Sequence, residues 1–176
     1  MNAGVNKVSP RFPRSPVQFV IRSFDANDRT RVADFILQHW GAEIVVAHGV
    51  VYRPHELPGF IALNGDAMVG LVTYHIDGDA CEIVTIDSTQ SGCGIGTALI
   101  DAVKQTARQA GCRRLWLVTT NDNLSALRFY QKRGFVLVAL HRNAIEPSRK
   151  LKPQIPLIGE HGIPLRDEIE LEIGLH

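Results

Sequence analysis

The chain has 176 residues with 45% hydrophobic and 21% charged side chains and a formal net charge of +1. Such a length suits one domain with a sizeable core, and such a composition excludes a disordered chain. The near-neutral charge gives the molecule as a whole no pull toward nucleic acid or an anionic membrane, and no apolar run approaches the ~18 residues of a membrane span.

Residues 1–16, "MNAGVNKVSPRFPRSP", are basic and proline-rich without a period, and read as a frayed leader ahead of a single domain over 17–176. They hold no apolar stretch of the secretory kind. "VQFVIRSF" predicts a strand over Val17 to Arg22. Asp25 or Asn27 can then cap an amphipathic helix from about Asp28 to Trp40, whose Val32, Phe35, Ile36 and Trp40 recur at helical spacing. "GAEIVVAHGVVYRPHELP" is ambiguous at first and irregular after Pro54. Three strands follow in quick succession, "GFIALNGD", "AMVGLVTYHIDGD" and "ACEIVTID", with turns at Gly65-Asp66 and Gly78 that predict an antiparallel meander. A helix beginning near Ile95 ends at Gly111, a left-handed C-cap. "RRLWLVTT" reads as a strand buried on both faces, with Trp116 in the core. "NLSALRFYQKRG" reads as a helix with Asn123 at its cap. "FVLVALHRNAI" and "IELEI" are the last strands, and the proline-rich segment between them reads as a long loop of the kind that usually carries function. The order predicts an α+β fold whose mixed sheet of six to seven strands is flanked by helices.

The stretch "DSTQSGCGIGTALI", Asp87 to Ile100, carries the first chemical signal. Gly92, Gly94 and Gly96 stand immediately before and within a helix start, where unpaired N–H groups and the macrodipole favour phosphate. Glycine lets the backbone approach such a group, and Thr97 adds a hydroxyl. The competing reading is a turn in which the glycines serve geometry alone. A Walker A loop is excluded because Thr97-Ala98 follows Gly96 instead of Lys-Ser/Thr. A dinucleotide fingerprint fits poorly, because Thr97 occupies its third glycine place, no carboxylate stands about 20 residues on, and a meander precedes it; a nucleotide-binding oxidoreductase is the remaining competing reading. Cys81, Cys93 and Cys112 show no CxxC spacing and suit a reducing cytoplasm. Cys93 has no visible base partner and reads as a small loop residue. His48, His55 and His75 lack metal spacing and read as satisfied or exposed histidines; no metal is expected.

Taken with "NDNLSALRFYQKRGF", this loop resembles the GNAT superfamily of acyl-CoA-dependent N-acetyltransferases. Gly94 and Gly96 match the family's Q/R-x-x-G-x-G/A loop. Asn123, Ala126, Tyr130, Gly134 and Phe135 match its N-x-x-A-x-x-x-Y-x-x-x-G-F segment. The resemblance covers about Val17 to Leu140, with one departure: Ser91 stands at the Gln/Arg place. It implies that acetyl-CoA is the co-substrate, its pyrophosphate held by the backbone from Ser91 through Gly92, Gly94, Ile95 and Gly96 to Thr97. The pantetheine arm would run beside Val84 and Ile86 near Asn123, in a gap where "EIVTID" and "RRLWLVTT" diverge. Tyr130 would protonate the departing thiolate.

Transfer to an amine also needs a proton acceptor, since an alkyl ammonium with a pKa near ~10 is unreactive at neutral pH. Glu82 is the candidate, because strand parity puts it on the face of Val84 and Ile86; an ordinary solvent-facing glutamate is the competing reading. Arg142, Arg149, Lys150 and Arg166 in the last connection, with Lys152 beside them, suggest an acceptor bearing an anion. The chain is thus read as a cytoplasmic N-acetyltransferase. The alternative is a non-catalytic acyl-CoA-binding module. A homodimer through the C-terminal strand stays open.

Overall fold

The computed structural model describes residues 18–176, so the leader expected at 1–16 lies outside the described residues. β1 (Val20–Ser23) pairs antiparallel with β4 (Gly59–Asn64), and β4 continues through β5 (Ala67–Asp77) into β6 (Ala80–Ser88) as the expected meander. β7 (Arg114–Thr120) runs parallel to β6, and β9 (Glu168–Gly174) inserts antiparallel between β7 and β8 (Val136–His141). The result is an α+β fold whose sheet has seven strands in the order β1-β4-β5-β6-β7-β9-β8. Among the described residues no helix is long and apolar enough to cross a membrane.

Helices cover the sheet unequally. α1 (Arg29–Trp40) lays Val32, Phe35 and Ile36 on Ile61 and Leu71 of one face. Its start is fixed by a capping box in the preceding turn, where Asp25 accepts the Asn27 N–H at 2.7 Å and Asp28 accepts the Asp25 N–H at 3.1 Å. α2 (Ile95–Gln109) and α3 (Leu124–Gln131) close the opposite face, where Leu99, Val103, Leu115, Leu117, Phe135 and Leu171 form the main core. β7 is therefore not buried on both faces as the apolar run suggested. Leu115 and Leu117 point into the core, whereas Arg114 and Trp116 lie half-buried on the α1 face.

The structure resolves one open stretch and departs from the sequence reading at another. The ambiguous stretch after α1 forms a small hairpin, β2 (Val45–Ala47) and β3 (Val50–Tyr52), with His48 and Gly49 both at positive φ in the turn. The long connection before β9 contains α4 (Ile145–Leu151) and a further turn at Glu160–Gly162. Pro147 lies in the first turn of α4, where no intrahelical N–H is lost.

β6 holds the feature that shapes the site. Thr73 and Tyr74, consecutive on β5, pair with Thr85 and Ile83, so Val84 is an extra residue, a β-bulge. Beyond it, β6 and β7 separate. Their parallel ladder covers only Ala80–Glu82 against Arg114–Trp116.

The contact of α2 with the sheet depends on Gly70 of β5. A Cβ there would stand 2.6 Å from Ile95 Cγ2 and 3.2 Å from Leu99 Cδ1, so α2 would have to lift off. Gly70→Ala is expected to cost about 1–3 kcal/mol from this overpacking. A urea midpoint unchanged from the wild type would show that α2 does not rest on that strand.

Candidate functional site

Two clefts open on opposite faces of the sheet, and β6 contributes to both. The larger, about 690 Å³, lies on the α2–α3 side. Its floor is the start of α2. Gly92 and Gly94 have φ of 78° and 84°, which glycine adopts without strain, and Gly94 is the N-cap, without a side-chain cap bond. The first intrahelical bond runs from the Ala98 N–H to the Gly94 carbonyl at 3.0 Å. The amides of Ile95, Gly96 and Thr97 precede it and are open to an acceptor. Gly96 serves a different end, because a Cβ there would come 2.9 Å from the Phe129 ring of α3.

Of the residues expected around a thioester carrier, Ile86, Ser91, Gly92, Gly94, Ile95 and Gly96 line this cleft. Asn123 and Tyr130 line it from α3. Val84 is buried in the bulge and Thr97 is half-buried in the first turn of α2; neither side chain is on the lining. Asn123 caps α3 by accepting the Ala126 N–H at 3.0 Å. Tyr130 is buried edge-on between Phe129 and Phe135, with centroids at 5.3 and 5.6 Å. Burial, and then the nearby Asp87 carboxylate, push its phenol above the ordinary 10.0, so it holds its proton at neutral pH. Cys93 turns its thiol to the Ser91 carbonyl at 3.7 Å.

Sequence reasoning missed the cations of this cleft. Arg128, Lys132 and Arg133 of the α3 segment all line it. Arg133 donates to Thr97 Oγ1 at 2.9 and 2.7 Å and to the Phe129 carbonyl at 2.7 Å, with its guanidinium 3.5 Å from the Phe129 ring centre. It thus ties the end of α3 to the first turn of α2. Their recurrence beside Tyr130 on one helix was the available signal.

The second cleft, about 430 Å³, lies on the α1 face and is lined by His48, Tyr52, His75, Asp77, Glu82 and Trp116, with Val50 and Ala80. His75, Glu82 and Trp116 stand abreast on β5, β6 and β7. Glu82 is 3% exposed. One of its oxygens meets His48 Nε2 at 2.9 Å and the other accepts the Tyr52 hydroxyl at 2.9 Å. The hairpin bearing both partners is pinned by Glu168 of β9, which accepts the His48 backbone N–H at 3.2 and 3.1 Å. His48 carries φ of 40°, an uncommon conformation for a side-chain-bearing residue and one found disproportionately at functional sites. Burial raises the Glu168 carboxyl, and burial with Glu82 raises the Tyr52 phenol. The Glu82 hydrogen bond, with the charges of Glu82 and Glu168, raises His48 above its ordinary 6.5.

Glu82 and Ile86 do not share a face, contrary to the parity reading. The extra residue at Val84 inverts the alternation, so Ile83 and Ile86 pack toward the α2–α3 core while Glu82 and Thr85 face α1. The Thr73–Thr85 hydroxyl contact of 2.7 Å belongs to the same face. His48 and Trp116, read as incidental, are cleft residues. The basic residues of the last connection are not. Arg142 and Lys150 are exposed, Arg149 donates to the carbonyls of Ile155, Pro156 and Leu165, and Arg166 pairs with Asp167 at 2.8 Å. None lines either of these two clefts.

Residues 21–135 match the model of the acetyltransferase (GNAT) family. The chain is 46% identical over 139 residues to "Uncharacterized protein YdhI" of Bacillus subtilis (strain 168), covering 78% of this chain and 87% of that protein. Its fold is similar to a GNAT family acetyltransferase from Elizabethkingia anophelis with acetyl-CoA bound, at TM-score 0.63 and 22% identity over 89% of this chain and 98% of that one. It is also similar to a Bacillus subtilis acetyltransferase in complex with CoA, at TM-score 0.64 and 19% identity over 90% and 100%.

The His48–Glu82 contact fixes a titration. His48 has a folded pKa raised above the unfolded value, so its stabilising contribution is fully present below 6.5 and is lost as pH rises through the folded value. An NMR titration of the ring is expected to show a midpoint above 6.5 that falls in Glu82→Gln. An unmoved midpoint would place the cause elsewhere.

Proposed function

Because the chain belongs to the GNAT family of acetyltransferases, we propose that it is an N-acetyltransferase that moves an acetyl group from acetyl-CoA to a primary amine. The observation that carries this reading is the placement of unlike chemistry on the two faces of one opened sheet. Free amides, cations and Tyr130 lie on one side, and a buried carboxylate with its histidine lies on the other.

The larger cleft fits the co-substrate. The open amides of Ile95, Gly96 and Thr97 suit a diphosphate, and Arg128, Lys132 and Arg133 supply positive charge around it. Main-chain donors thereby do the work that the Gln/Arg place, here Ser91, does not. The backbone of β6 beyond Glu82 has no ladder to β7 and is available to an extended arm. Val84 contributes through that backbone, Thr97 by locking Arg133 in place, and Asn123 by starting α3 beside the cleft.

The chemistry then divides between the two faces. On the α1 face, Glu82 and His48 accept the proton of the incoming ammonium, leaving a lone pair on nitrogen. The nitrogen bonds to the thioester carbonyl carbon, and a backbone N–H near Ile86 stabilises the oxygen as it gains charge. When the C–S bond breaks, Tyr130 donates its proton to the sulfur, and the second proton shed by the newly bonded nitrogen restores the phenol, leaving a neutral amide and a free thiol. Holding both reactants across the gap supplies much of the rate. Tyr52 keeps Glu82 oriented while both its oxygens are engaged.

Tyr130→Phe tests this assignment. Amine-dependent thiol release should fall by about a hundredfold or more, while the Kd for CoA by calorimetry stays within about threefold, because the ring and its packing remain. Turnover at the wild-type rate would remove Tyr130 from the reaction.

A further inference from the structure

We infer that the acceptor is a cationic amine that carries no carboxylate. This rests on the N-acetyltransferase reading and names the substrate class of its acceptor cleft. The sequence pointed the other way, but the basic residues that suggested an anion are spent on loop carbonyls and on Asp167, or stand in solvent away from the cleft. Among the described residues, no lysine or arginine lines the cleft on the α1 face.

What lines it is acidic and aromatic. Glu82 lies at the bottom and Asp77 is exposed at one side. Behind His48, Glu168 adds a third carboxyl group. Arg114, outside the lining beside Trp116, is already held by Glu170 and Glu172 at 3.3 and 2.8 Å and lies 5.2 Å from the Trp116 ring centre. His141, on the same face, is held by Glu170 at 3.0 Å. Four rings frame the space: His48 stands 5.5 Å from Trp116, and Tyr52 6.3 Å from His75, between centroids. The Trp116 and Tyr52 rings and the Glu82 and Asp77 carboxylates together attract an ammonium. An α-carboxylate delivered beside that ammonium would meet Glu82 and Asp77 with no donor fork to receive it. Exclusion of the amino acid is therefore built in as repulsion as well as missing contacts.

Matched pairs that differ by one carboxylate isolate this feature: phenethylamine with phenylalanine, and cadaverine with lysine. Thiol release from acetyl-CoA and calorimetric binding to the CoA-bound protein are measured for each. The decarboxylated member should be favoured about tenfold or more in kcat/KM and in Kd. Asp77→Lys should shrink that preference severalfold, chiefly through KM, while leaving CoA affinity unchanged. If the amino acids are bound or acetylated as well as their amines, or if neither amine binds the CoA-bound protein, the inference is overturned while the cofactor assignment stands. Failure of CoA itself to bind the wild type would instead overturn the acetyltransferase reading.

Discussion

One extra residue, Val84, sets the geometry on which both clefts depend. A regular strand would keep Glu82 and Ile86 on a single face, and β6 could continue its ladder with β7. The bulge breaks both conditions at once, turning the two side chains to opposite sides and ending the parallel pairing at Glu82. It also increases the local twist, and the sheet opens where its two halves would otherwise join. A carboxylate can then face one cleft while the next residues along the same strand face the other. No loop insertion or second domain is needed to bring the two together.

The carboxylate side is costly to build, and its neighbours show how the cost is met. A buried carboxylate requires partners for each oxygen, and Glu82 has His48 on one and Tyr52 on the other. Both come from a hairpin of two three-residue strands, too small to be stable alone. Glu168 holds that hairpin by its turn, and α4 packs close to β2. The last strand and the last connection therefore act on the site indirectly. They fix the backbone of His48 in an unusual conformation so that its ring can reach β6.

Most of the fold was legible because its signals are local. The Gly65-Asp66 and Gly78 turns between apolar runs marked the meander, the Gly94 and Gly111 boundaries marked α2, and Asn123 marked the start of α3. Errors arose where a local rule was over-read or where a long-range contact decided. The connection before β9 reads as loop throughout because of its prolines, although a first helical turn tolerates one, as Pro147 shows in α4. His48-Gly49 between "IVVA" and "VVY" is hairpin chemistry, yet the run was left ambiguous. Trp116 looked like core because "LWLV" is continuously apolar, and only the half-open face of β7 makes it a cleft residue. The bulge itself has no mark in "EIVTID": Glu82, Val84 and Ile86 alternate as they would in any strand, and the register is set by Tyr74 and Thr73 across the ladder.

Overall charge was the least informative quantity, and the fold explains why. A net charge of +1 gives no reason to expect a charged partner. Yet α3 and the turn that follows it carry Arg128, Lys132 and Arg133 to one face, while Glu82 and Asp77 line the cleft on the other. Sums over the chain cancel a separation that the sheet maintains across its own thickness. A reactant rich in phosphate and a reactant bearing an ammonium would each meet the opposite sign on its own side, and would be drawn to different faces. On the proposed reading the sheet would sort its two reactants by charge before joining them at the gap, and the sorting would need only a few side chains on β5, β6, α3 and the turn after α3.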